Sequence, residues 1–141
     1  MIYPKRDTKS RWLVILTGLL IFIWLGQEDN HTLPVTLLGI WSAGFSVIFI
    51  SMGKLGGQQF HYRQLPLLGM LFGAISGISA SLITAALMLF KNARHAHFLP
   101  DYPAGMMGDI LERAPLWGLA GAFIGLGIAL IQIAQHPPPN Q

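Results

Sequence analysis

Four apolar runs, residues 12–25, 34–53, 66–90 and 115–134, contain no Asp, Glu, Lys, Arg or His. Charged residues are 11% of the chain, against about 25% in an average soluble domain, so there are too few to cover a water-facing surface. A helix rising 1.5 Å per residue crosses a ~30 Å hydrocarbon core in about 20 residues. The second and fourth runs are each 20 residues long and fit directly. The third, at 25 residues, must tilt or protrude, and the first, at 14, must borrow its neighbours. The expected fold is an all-α integral membrane protein. It is a four-span transmembrane helical bundle, with spans at about 11–27, 33–53, 65–90 and 114–134 in one domain over 12–134. A basic arm, 1–11, precedes it and a Pro-rich tail, 135–141, follows.

Positive charge sets orientation, because Lys and Arg near span ends are retained in the cytoplasm. Lys5, Arg6, Lys9 and Arg11 precede the first span, and Lys54 and Arg63 lie between the second and third. On the opposite side are only Lys91, Arg94 and Arg113. Six against three places both termini in the cytoplasm of a multi-pass protein in the plasma (inner) membrane. No small-x-small site follows the first run, so that segment is expected to stay as an anchor. Boundary signals agree: Thr32 stands where it can cap the second helix, Pro66 and Pro115 stand at helix starts, and Gly56 and Gly57 mark a turn.

Lipid supplies no hydrophobic drive between helices, which associate where small side chains let backbones approach. Span three has Gly69, Gly73, Gly77, Ala80 and Thr84 on one face, with Leu71, Ile75, Ile78 and Leu82 opposite. Span four offers Gly118, Gly121, Ala122, Gly125 and Ala129, and span two Gly39, Ala43 and Ser46. These glycine-zipper-like faces hold one protomer together or, in a sharper reading, form an oligomer contact or narrow pore. Span one is nearly without small residues and belongs at the periphery, and Trp12, Trp24 and Trp117 suit an interfacial belt.

Chemistry-bearing residues concentrate in the loop 91–113. His95 and His97 form an H-x-H that is a weak metal-site candidate, because a third ligand at diagnostic spacing is missing. Within this loop Met106, Met107, Ile110 and Leu111 recur at helical spacing and predict a short amphipathic helix that lies on the bilayer or caps the bundle. No catalytic or nucleotide-binding motif occurs, so no enzymatic activity and no cofactor are expected. The nine Lys and Arg are scattered among loops, which excludes a nucleic-acid face. A proton-coupled transporter generally needs a carboxylate at depth, and the runs have none. The sequence therefore points to a small membrane accessory or interaction protein. Its expected partners are the lipid bilayer and another membrane protein or a second copy of itself. The alternative is a homo-oligomeric channel or transporter for a small neutral solute.

Overall fold

A computed structural model describes residues 9–27, 31–95 and 100–135, with side chains except at 9–11 and 95. Five helices follow one another: α1 Lys9–Leu25, α2 Thr32–Leu55, α3 Leu65–His95, α4 Ala104–Glu112 and α5 Ala114–Gln135. The structure is 85% helical, and no strand occurs among the described residues. Helices α2, α3 and α5 are long and apolar enough to cross a membrane, whereas the apolar stretch of α1, Trp12–Leu25, is shorter. By length and composition this is a membrane protein.

Proline and glycine set several of the helix ends. Pro66 and Pro115 are the second residues of α3 and α5, where a missing N–H leaves no bond unmade. Thr32, expected as a cap, is instead the first helical residue of α2. His31 holds the extended N-cap position, and its side chain makes no capping hydrogen bond. Pro34 stands two residues on, so one N–H that a capping hydroxyl would take is missing. At the other end of α2 the Gly56 N–H donates to the Met52 carbonyl at 3.1 Å. Gly57 then turns the chain with φ at 85°, a conformation that side-chain-bearing residues avoid.

Helix α3 is the hub. It packs most extensively against α5, next against α2, and at its far end against α4; α1 touches α2 only lightly. Glycine sets the α3–α5 spacing. A Cβ built on Gly73 would overlap the Gly121 carbonyl oxygen, one on Gly77 would overlap that of Trp117, and one on Gly125 would overlap that of Gly69. With no hydrophobic drive between helices in lipid, such backbone proximity is the main source of attraction available. Between α2 and α3, a Cβ on Gly39 would overlap the Thr84 hydroxyl.

The third helix continues to His95, five residues past its apolar run, so Lys91 and Asn92 belong to a helix and not to a loop. Lys, Ala and Arg are good helix formers, and the tertiary contacts below hold this turn in place. Helix α4 caps the bundle at that end. Its Met107 and Ile110 are buried, and the Ser81 hydroxyl donates a buried hydrogen bond to the Ile110 carbonyl.

Candidate functional site

Two features carry chemistry or shape, at opposite ends of α3. The first is a cap built around Lys91, which is fully buried. Its Nζ lies 4.7 Å from the centroid of the Trp24 ring and 5.7 Å from that of Tyr102. Electron-rich ring faces attract an ammonium, most strongly when water is excluded, as at this site. Trp24 and Leu25 of α1, Val35 of α2, Ala85 and Met88 of α3, and Tyr102, Met107 and Ile110 make one apolar cluster here. Polar bonds close it. The Asn92 side-chain amide donates to the Tyr102 carbonyl at 2.7 Å, and its oxygen accepts the Tyr102 N–H at 2.9 Å. The Tyr102 hydroxyl donates to the His31 carbonyl at 3.1 Å, joining the start of α2. The Arg94 guanidinium adds a second contact to α1, 5.5 Å from the Phe22 ring centroid. The cap therefore ties α1, α2, α3 and α4 at one end of the bundle. Neither Lys91 nor Tyr102 stands out in the sequence, because a lysine beyond an apolar run reads as solvated.

The second feature is a groove. Helices α2 and α5 flank α3 without substantial contact with each other, leaving a slot of about 720 Å³. Its floor is the Gly69, Gly73, Ser76 and Ala80 side of α3, and its walls include Ile40 and Ile48 from α2 and Ile124 and Ile128 from α5. Apart from the Trp117 indole, only Ser76 and Gln132 bring polar side chains to the lining. The lining on α3 runs from Leu65 to Ala80, about 22 Å of helix at 1.5 Å per residue.

The small residues singled out from sequence fall into three environments. Gly69, Gly73, Gly77, Gly121 and Gly125 lie at the α3–α5 crossing, where Ala129 also approaches Gly69. Gly39 and Thr84 meet between α2 and α3, beside buried Ala43 and Ala80. Gly118 is buried against the Ile78 side chain, so Ile78, assigned from spacing to the lipid face, also contacts α5. Ala122 is half-buried, and Ser46 is exposed in the single chain. Two hydroxyls of α3 are bonded within the chain: Thr84 donates to the Ala80 carbonyl at 2.7 Å and Ser81 is bonded to α4. His97 and the His95 side chain lie outside the described residues, as do the 1–8 part of the basic arm and 136–141 of the tail.

The class these observations define is a helical membrane protein with an open groove and a capped end. Comparison with protein-family models, curated proteins and solved structures gives no match to this chain.

Proposed function

We propose that this chain is a small multi-pass accessory protein that packs with a larger membrane complex. The observation that carries the reading is α1. Trp12, Ile15, Leu19, Phe22 and Ile23 are all exposed, and along its middle α1 is fastened through Thr17, whose hydroxyl accepts the Trp41 indole N–H at 3.0 Å. The cap holds its end through Trp24 and Leu25. An apolar helix fastened at its middle and at one end, with most of its circumference uncovered, suits packing against a neighbouring helix in the bilayer. The glycine faces of α3 and α5 are turned toward each other, and a partner contact then falls to α1.

In this reading α1 is a fourth span, both termini are cytoplasmic, and the membrane is the plasma (inner) membrane. The conducting alternative is weaker because Ser81 and Thr84 spend their hydroxyls inside the chain. A hydrated path needs polar groups facing the path. The test is a photoreactive side chain placed at Ile15 or Phe22 in the native membrane. One larger protein, crosslinked stoichiometrically, is the expected product. A ladder of this chain alone would favour the homo-oligomer, and adducts to lipid alone would contradict the accessory reading.

A further inference from the structure

We propose that the groove between α2 and α5 binds a single anionic phospholipid, its acyl chain along the floor of α3 and its phosphate against Lys54 and Arg63. Shape is the first argument. The lining follows α3 for about 22 Å, a long open slot in which an extended hydrocarbon chain can lie lengthwise. Its lining is apolar apart from Ser76, Gln132 and the Trp117 indole, as suits a chain without hydrogen-bonding groups.

Charge is the second argument. Leu65 lines one end of the groove. Two residues before it stands Arg63, exposed, in the short connection that begins just after Lys54 at the end of α2. No Asp or Glu occurs between Asp29 and Asp101, so this connection is purely basic. Basic residues beside a slot between membrane helices attract a phosphate headgroup, and Phe60 and Tyr62 in the same connection belong at headgroup depth. A partner helix would bring its own cytoplasmic Lys and Arg toward this cationic end, whereas a lipid phosphate brings the opposite charge. The inference uses a different surface from the accessory reading, so either can fail alone.

Gly44 provides the test. It lines the groove, and a Cβ there would lie 3.7 Å from the Ser76 hydroxyl oxygen, an ordinary contact. A Gly44→Leu side chain therefore enters the groove without displacing backbone. At Gly127, outside the lining, a Cβ meets nothing within 4 Å, which makes Gly127→Leu the control. The full-length chain is purified in mild detergent, offered phosphatidylglycerol or phosphatidylcholine of identical chains, and weighed intact by native mass spectrometry.

The wild type and Gly127→Leu are expected to keep one phosphatidylglycerol at least tenfold more often than phosphatidylcholine, and Gly44→Leu neither lipid. Lys54→Gln and Arg63→Gln should each cut the preference about fivefold, the ratio expected for one surface cation. Circular dichroism checks folding, and if Gly44→Leu does not fold, Ile124→Trp on the facing wall, expected to lose both lipids, replaces it. Equal retention of the two lipids, retention unchanged in the filled-groove variant, or a bound protein released by Gly44→Leu would each overturn the proposal.

Discussion

The Lys91 ammonium stands 4.7 Å from the centroid of the Trp24 ring, so a cation at the end of α3 is held by an aromatic face from the end of α1. Trp24 is itself buried, and its indole N–H makes no hydrogen bond to any of the described residues. Two effects therefore oppose each other in Trp24→Phe. The weaker ring costs about 1 kcal/mol of cation–π attraction, and loss of an unsatisfied N–H returns a similar amount. The phenylalanine variant should unfold within about 1 kcal/mol of wild type in a detergent denaturation series. Trp24→Ala, which removes the ring and leaves a cavity under a buried cation, should lose about 3 kcal/mol or more.

Asn92 closes the far side of the same cap through two bonds to the Tyr102 backbone. Asn92→Ala leaves that N–H and C=O without their partner, at a cost of about 2 kcal/mol. The first sign should be local opening, because α4 is held by few elements. Limited proteolysis should cut the connection before α4 several-fold faster than in wild type. An unchanged cleavage rate would show that the amide is not what holds the segment.

Gly77→Leu should separate α3 from α5, since even a Cβ there overlaps the Trp117 carbonyl. The expected loss is about 3 kcal/mol or more, beyond the 1–3 kcal/mol of ordinary overpacking, because backbone and not a flexible side chain is in the way. Leu82→Ile, on an exposed position of the same helix, should stay within about 0.5 kcal/mol. Thermal unfolding in a fixed detergent compares the two.

Gly108 lies inside α4 with none of the described residues within 4 Å of a Cβ added there. Alanine there removes backbone freedom from the unfolded chain without a clash. Gly108→Ala should therefore stabilise the cap by about 0.5–1 kcal/mol, read as slower hydrogen exchange of the α4 amides.

Much of the fold is legible from residue order. Charge-free runs mark the long helices, the four-residue spacing of Gly69, Gly73 and Gly77 marks a small face, and the spacing of Met107 and Ile110 marks α4. What spacing does not carry is which helices become neighbours. The groove exists because α2 and α5 settle on separate sides of α3, and no local pattern encodes that choice. Lys91 is hidden for a different reason. A charge ends an apolar run in any linear reading, yet the aromatic faces of Trp24 and Tyr102, the latter eleven residues further along the chain, make its burial tolerable. Asn92 needs the same long-range partner. Ser46 shows the converse, a small residue at plausible spacing that the helix turns outward.

The chain contains no cysteine, so single introduced cysteines report position without background. Gln58 and Asp109 are exposed and separated in sequence by α3, and Ile75 is exposed on that helix. In sealed vesicles, a membrane-impermeant maleimide should label Gln58→Cys and Asp109→Cys from opposite sides and leave Ile75→Cys unlabelled from both. Labelling of Gln58→Cys and Asp109→Cys from one side, or ready labelling of Ile75→Cys, would contradict a bundle that crosses the bilayer on α3.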